Sequence, residues 1–269
     1  MRVTILGSGS NGNSTLVEAG GACLLIDAGF SGRDIETRLR DVGVEPESIN
    51  GIVITHDHGD HTRGMGVLAR RFGLPLYLTA RTRVMCEDLL NGTEDVRTYT
   101  SSLPFRIGAL EVRPFLTVHD AADPVAVTVS DVDSGARLGI ATDLGRPTAA
   151  VRAELRNCNM LVLEANHDDA LLWSSAYPWS VKQRIASSHG HLSNRAAAGL
   201  VRELLHPNLH NIVLAHLSEQ CNDAGLALNT IGGALARTRY RGTLNVAPQD
   251  RPMEPVIVRP GIQQLALAL

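Results

Sequence analysis

Lysine is nearly missing from this chain: Lys182 is the only one, and every other strongly basic residue is arginine. With a formal net charge of −3 over 269 residues, the molecule as a whole does not attract nucleic acid, so any such contact has to be local. An arginine fork facing a cleft could still grip a phosphate bidentately. Aromatic residues are only 4% of the chain, and the 44% hydrophobic content must therefore build a core from Val, Leu, Ile and Ala. That content excludes disorder. Cysteine is scarce too. Cys23, Cys86, Cys158 and Cys221 are widely spaced without a CxxC pair, which excludes a disulfide framework and favours reduced, buried thiols in the cytoplasm. No run of about 18 apolar residues occurs, so no membrane span is expected. The start, Met1 to Gly7, reads as a strand and not as a signal peptide. Linkers, low-complexity tracts and charge blocks are missing, and one domain over residues 1–269 with two similar α/β halves is expected.

Along the chain, apolar runs at 3–6, 15–18, 22–26, 51–54, 76–78, 105–107, 110–112, 115–116, 125–129, 138–142, 160–165 and 212–215 read as strands, with two more near 243–247 and 255–258. Helices are expected from Ser31 to Gly43, over 62–72, near 81–90, 148–157, 169–185 and 194–205, and after Asp223. Gly7-Ser8-Gly9-Ser10-Asn11-Gly12 contains GxGxxG, and Asp27 follows at a suggestive distance. A dinucleotide site needs a helix immediately after the glycines. Here Thr15-Leu16-Val17-Glu18, a Gly20-Gly21 turn and Ala22 to Ile26 follow as two strands. No nucleotide cofactor is expected; the glycines and small polar residues let backbone approach a site closely.

That site is announced by Thr55-His56-Asp57-His58-Gly59-Asp60-His61, directly after the buried run 51–54 and before a helix. Open α/β sheets place their sites at such strand ends. Side chains alternate along an extended segment, so His56 and His58 point the same way and suit one ion. Asp60 and His61 follow a glycine turn and suit a second ion beside the first. Imidazole with carboxylate favours Zn, Mn or Fe over Ca or Mg. A two-metal site needs more ligands, and three more apolar runs end in one: His119, Asp143 and His216.

HxHxDH with a later His, Asp and His resembles the metallo-β-lactamase superfamily, and the segment Asp27 to Gly29 is similar to the family's first motif. The resemblance implies a four-layer αββα sandwich. His56, His58 and His119 would hold one divalent metal, Asp60, His61 and His216 the other, and Asp143 would bridge. Leu6 to Ser14, Ala141 to Gly145, Leu163 to Asp168, Tyr177 to Ser180, Gly190 to Asn194 and Leu214 to Glu219 are similar to the WalJ/YycJ subgroup. That subgroup implies nuclease action on DNA, including 5′-to-3′ exonuclease action. The interval from Asp143 to His216 is too short for the large insert of the β-CASP nucleases, so nucleic acid would bind on the core fold itself.

Two adjacent ions would acidify a water, clamp the scissile oxygen and stabilise charge in the transition state. Asp60 is expected to orient the nucleophile as well as to hold metal. His191, just ahead of a helix that Ser193 or Asn194 would cap, is the candidate for contacting phosphate, because helix starts favour anions. Asp27 either caps its own turn or supports the ligand loop. His167 is expected behind the ligands or at the rim, and Asn194 behind the ligands or beside the substrate. His189, His206 and His210 read as loop or surface residues. Tyr177 and Trp179 either stack on bases or pack their loop. Arg237, Arg239 and Arg241 around Tyr240 read as a solvated helix end. The other reading is a small-molecule metallohydrolase of thioesterase or lactamase type.

Overall fold

The computed structural model describes residues 1–261; residues 262–269, included in the one-domain expectation, lie outside the described residues. Six strands open the chain: β1 (Arg2–Gly7), β2 (Ser14–Ala19), β3 (Ala22–Ile26), β4 (Gly51–Val53), β5 (Leu76–Thr79) and β6 (Val96–Tyr99). Seven more follow: β7 (Phe105–Ile107), β8 (Leu110–Leu116), β9 (Val125–Asp131), β10 (Arg137–Ala141), β11 (Met160–Glu164), β12 (Asn211–Ala215) and β13 (Thr243–Val246). The last strand, β14 (Val256–Ile257), returns to pair antiparallel with β1. The result is two seven-stranded sheets, ordered β14-β1-β2-β3-β4-β5-β6 and β13-β12-β11-β10-β9-β8-β7. Both are mixed: β3 to β6 run parallel, as do β10 to β13.

Period-two alternation explains why the sheets stack. In β12, Val213 and Ala215 face the interior between the sheets, while Ile212 and Leu214 face outward. In β4, Val53 points inward and Ile52 outward. A strand apolar on both faces must be covered on both. The inner faces meet through Val3, Ile5 and Leu24 against Val112, Val127 and Val162. Outside the first sheet lie α1 (Gly32–Asp41), α2 (Gly59–Thr62), α3 (Met65–Phe72) and α4 (Ala80–Met85); Ile35, Leu39, Met65 and Leu68 cover its outer face. Outside the second lie α5 (Ala149–Leu155), α6 (Asp169–Ser174), α7 (Trp179–Ala186), α8 (Asn194–Leu204) and α9 (Ala224–Leu235), where Leu155, Val201 and Ile231 do the same. The four-layer αββα sandwich follows.

Several boundaries differ from the sequence expectation, each for a local reason. The helix expected over 62–72 is two, because Gly64 sits against the Phe30 carbonyl and donates its N–H to the Ala28 carbonyl at 2.8 Å. The helix expected over 169–185 is also two: Pro178 is the N-cap of α7 and disfavours helical backbone at Tyr177. The two runs around Pro114 form one strand, since β7 pairs only with Leu110–Val112 and Pro114 has a neighbour on the β9 side alone. β6, whose Arg97 and Thr98 are exposed, carries too few apolar residues to announce itself. No helix among the described residues is long and apolar enough to cross a membrane. All four cysteines are free and buried.

Candidate metal centre

Parallel strands end at the same edge of a sheet, and here both sheets end together. His56 follows β4, His119 follows β8, Asp143 follows β10, Glu164 ends β11 and His216 follows β12. Asp27, Asp143 and His216 all adopt left-handed backbone, with φ of 62°, 57° and 56°. For residues other than glycine that conformation is strained, and the surrounding structure has to hold it. Each of the three sits at the point where a strand reverses into the edge.

The ligand-type atoms gather in overlapping groups in which all atoms lie within 4.8 Å of one another: His56, His58 and His119; Asp60, His61 and His216; and His56, His61 and Asp143. Asp143 lies between the first two. Its Oδ2 is 3.1 Å from His61 Nε2, and its Oδ1 is 3.5 Å from His119 Nε2 and 3.7 Å from His216 Nε2. Among these ligand-type groups, two buried atoms make no hydrogen bond, His56 Nε2 and Asp143 Oδ2. Buried polar atoms are normally satisfied. Orphans on an imidazole and a carboxylate, surrounded by further imidazoles, are donors suited to divalent ions. The residues present therefore fit a pair of metals.

The ring nitrogens facing away from the centre are tied down, which decides what each histidine presents. His61 Nδ1 is 2.8 Å from Asp27 Oδ2, His119 Nδ1 is 3.1 Å from the Gly190 carbonyl, and His216 Nδ1 is 3.0 Å from Glu164 Oε1. Their Nε2 atoms point inward. His58 is reversed and sets its Nδ1 3.3 Å from His119 Nε2. Asp27 also accepts from the Thr55 N–H at 2.8 Å and from its hydroxyl; its carboxylate supports the ligand loop and does not close its own turn. Gly29 is obligatory, since a Cβ there would collide with the Asp60 carbonyl.

Electrostatics divide the histidines. Burial, reinforced by His61, holds His56 well below its ordinary pKa, and burial likewise lowers His119. Both are neutral and ready to ligate. Burial also opposes charge on His61 and His216, but carboxylates outweigh it and raise both well above the ordinary value: Asp27 and Asp60 at His61, Asp143 and Asp60 at His216. These two must release a proton on taking up a metal.

Beside this centre opens a cavity of about 400 Å³, walled by Asp60, His191, His216, Tyr177, Arg184 and Ser218 among others. His191 keeps 21% of its side chain exposed there, and its Nδ1 lies 2.8 Å from Glu164 Oε1. Burial lowers its pKa, but Glu164 outweighs the effect and raises it. Burial in turn pushes Glu164 up, yet His191 and His216 bring it down to about 2. His191 is thus oriented by a carboxylate and not by a helix start, which lies beyond it at Asn194 with Ser193 as the cap.

Two residues expected either behind the ligands or at the substrate, Asn194 and His167, do not line the cavity. Asn194 is buried in a reciprocal amide pair with Asn222 at 2.9 Å. It fastens α8 to the loop before α9 and cannot reach a substrate. His167 is buried with an unpartnered Nδ1, and its backbone pairs with the segment at Ser193; it is not among the cavity's lining residues. His189 is exposed.

Three residues important here escaped the sequence reading as individuals. Glu164 is fully buried and binds two histidines together with the N–H groups of Leu144 and Leu192 at 2.9 Å. An acid closing the apolar run Met160–Leu163 was the signal. Asn13 Nδ2 lies 3.2 Å from Asp60 Oδ2 and from His61 Nε2. Ser8 Oγ accepts from the His216 N–H at 2.9 Å. The glycine-rich segment therefore acts through its polar side chains as well as through close backbone approach.

Two stacked sheets whose shared edge collects imidazoles and carboxylates around a polar cavity define a metallohydrolase. The chain belongs to the metallo-beta-lactamase superfamily, whose family model matches residues 7–173. It is 33% identical over 237 residues to exodeoxyribonuclease YycJ of Bacillus anthracis, covering 87% of this chain and 89% of the relative. To exodeoxyribonuclease WalJ of Streptococcus pneumoniae it is 35% identical over 240 residues, with 88% of each covered. Among solved structures, the metallo-beta-lactamase fold protein YhfI of Bacillus subtilis superposes with a TM-score of 0.72 at 18% identity, over 94% of this chain and 99% of that one. The short form of human tRNase Z superposes at 0.64 with 19% identity, over 96% and 100%.

Proposed function

We propose that this enzyme is a metal-dependent nuclease that hydrolyses phosphodiester bonds of DNA, acting as a 5′-to-3′ exonuclease in the cytoplasm. The observation that carries the reading is the Glu164–His191 pair. It sets a histidine with raised pKa at the cavity wall, 3.6 Å from Asp143 Oδ1 by its Nδ1. An imidazole held in that position by a buried carboxylate can donate to the oxygens of a phosphodiester. The exodeoxyribonuclease names of both relatives support the same substrate, and the polarity rests on the subgroup resemblance.

His56, His58 and His119 would hold one ion, Asp60, His61 and His216 the other, and Asp143 would join them; Zn, Mn and Fe all suit these donors. Such a pair supplies a nucleophile at neutral pH and neutralises charge on the phosphate. The chain's own residues do the rest. Asp60, held by Asn13 and His216, orients the attacking water. His191 donates to a phosphate oxygen or to the leaving oxygen while Glu164 keeps its ring in place. Asp27 and Glu164 fix the rings of His61 and His216, so the geometry is set before substrate arrives.

The test uses DNA labelled at either end, with protein loaded with Mn or Zn. Wild type should release label from the 5′ end first, and Asp60→Asn should release none. Equal, slow degradation by both would refute the proposal, and turnover of a thioester or a lactam would put the small-molecule reading in its place.

A further inference from the structure

A local contact with a polyanion needs a cation near the cavity whose charge is not already neutralised. Arg184 lines the cavity, but Asp120 binds it at 2.5 Å, and Lys182 is buried against the Trp173 carbonyl. Arg63 differs. It is the C-cap of α2, with helical backbone and its N–H bonded to the Gly59 carbonyl at 3.1 Å. Helical positions three and four apart share a face. Gly59 and Asp60 both line the cavity, so Arg63 stands on their face, one turn along. A second tie sets the same place. Arg63 Nη1 donates to the Asn11 carbonyl at 3.2 Å, and Ser10, the residue before Asn11, also lines the cavity. Asn11 is itself fixed. Its N–H donates to Gln249 Oε1 at 2.8 Å, its side-chain amide donates to Glu219, and Gln249 Nε2 holds the Gly12 carbonyl at 2.9 Å. The Arg63 guanidinium is exposed, and no carboxylate pairs with it among the described residues.

We propose that Arg63 binds a substrate phosphate next to the one being cleaved, and so seats the DNA end over the metal centre. The inference rests on the nuclease reading above and adds a substrate contact at the cavity rim. One helical turn rises ~5.4 Å, and successive phosphates of one strand lie ~3.4 Å apart along the duplex axis. The guanidinium therefore meets a phosphate one or two positions from the reacting one. At a 5′ end, two groups of that chemistry are within this range: the terminal phosphate and the first backbone phosphodiester retained after the cut. Both are anions that accept from a planar guanidinium fork. Nη1 is engaged by Asn11, while Nε and Nη2 carry no partner among the described residues. That edge of the group presents two parallel N–H donors to a phosphate. A fixed carbonyl holds the guanidinium in place without neutralising it, so the contact is set before DNA arrives.

Cleavage of 5′-labelled duplex DNA by the full chain, loaded with Mn, is followed from roughly 50 to 200 mM salt. Arg63→Ala should raise KM roughly tenfold, the size of one lost charge-assisted hydrogen bond, with kcat held within about twofold and metal content unchanged. The slope of log(1/KM) against log salt should become shallower by about 1, the signature of one phosphate contact. Arg63→Lys keeps the charge and loses the fork, so it should restore the slope and part of the KM. Gln249→Ala loosens the Asn11 brace without removing charge, so it should raise KM and leave the slope as in wild type. Two altered substrates identify the phosphate. A 5′-hydroxyl end lacks the terminal one, and a single methylphosphonate removes the charge of the retained linkage. The phosphate that Arg63 binds is the one whose loss raises the KM of wild type and leaves that of Arg63→Ala unchanged. If Arg63→Ala shows the KM and slope of wild type, the contact is overturned and the nuclease reading stands. A fall in kcat and metal content at unchanged slope would make Arg63 a prop for the ligand loop and overturn the contact as well. No cleavage of any DNA by wild type would remove the contact and the nuclease reading together.

Discussion

The two sheets supply the centre in opposite ways. The first delivers His56, His58, Asp60 and His61 from one loop after β4, so its candidate ligands are neighbours in sequence. The second delivers His119, Asp143 and His216 singly from the ends of β8, β10 and β12. Support differs likewise. Asp27 braces one histidine and Thr55 in the first sheet, whereas Glu164 braces His191, His216 and two backbone N–H groups in the second. A compact loop can position its own ligands through local turns. Ligands scattered over three strands need a shared brace, and a buried carboxylate at the end of the strand between them is that brace.

The largest expected effect tests whether both contributions are indispensable. His61→Ala in the first sheet and His216→Ala in the second should each abolish turnover and lower the metal content, measured by elemental analysis and by DNA cleavage. Retention of both by either variant would break the symmetry of the centre. His191→Ala should follow, lowering kcat ~10²- to 10³-fold, as for the loss of one transition-state donor, with metal content unchanged. Metal loss in that variant would make His191 a ligand.

Glu164→Gln and Asp27→Asn sharpen the comparison of braces. Loss of a partner behind a ligand lowers metal affinity or activity about 10- to 100-fold, and Glu164→Gln should stand at the upper end because two histidines depend on it. A greater loss from Asp27→Asn would reverse the argument. The smallest mutational effect is expected from Ser8→Ala, which removes the hydrogen bond from the His216 backbone and the one to Asn13 Oδ1 and should lower stability by ~1–2 kcal/mol in a denaturant titration.

Metal uptake carries its own signature. Carboxylates hold His61 and His216 well above their ordinary pKa in the metal-free protein, so binding must expel protons and affinity must rise with pH. Calorimetry in buffers of different ionisation enthalpy should show net proton release. The charged imidazoles also contribute stability to the metal-free fold below their unfolded pKa, near 6.5. That contribution is lost as pH rises through the raised folded values. A metal-free protein whose stability grew over that range would contradict the assignment.

Much of this was legible in the residues. Alternating apolar strands and the missing linker implied one layered α/β body, and HxHxDH after a buried strand implied two ions. Ligands packed into one loop are visible because chain connectivity itself makes them neighbours. A shared position after apolar runs extended the set to His119, Asp143 and His216, and the resemblance distributed the set between two ions. Asn194, expected behind the ligands or beside the substrate, is locked to Asn222, a partner 28 residues away that no local pattern announced.

By itself, the sequence determined the strand pattern, the donor chemistry and the loop from His56 to His61, since these depend on residue type and spacing within a few positions. Tertiary structure alone decided which nitrogen each histidine presents, that Glu164 serves the second sheet as Asp27 serves the first, and that two tryptophans share a surface. Those outcomes depend on groups far apart in the chain meeting at one edge, and only the stacking and register of two sheets place them there.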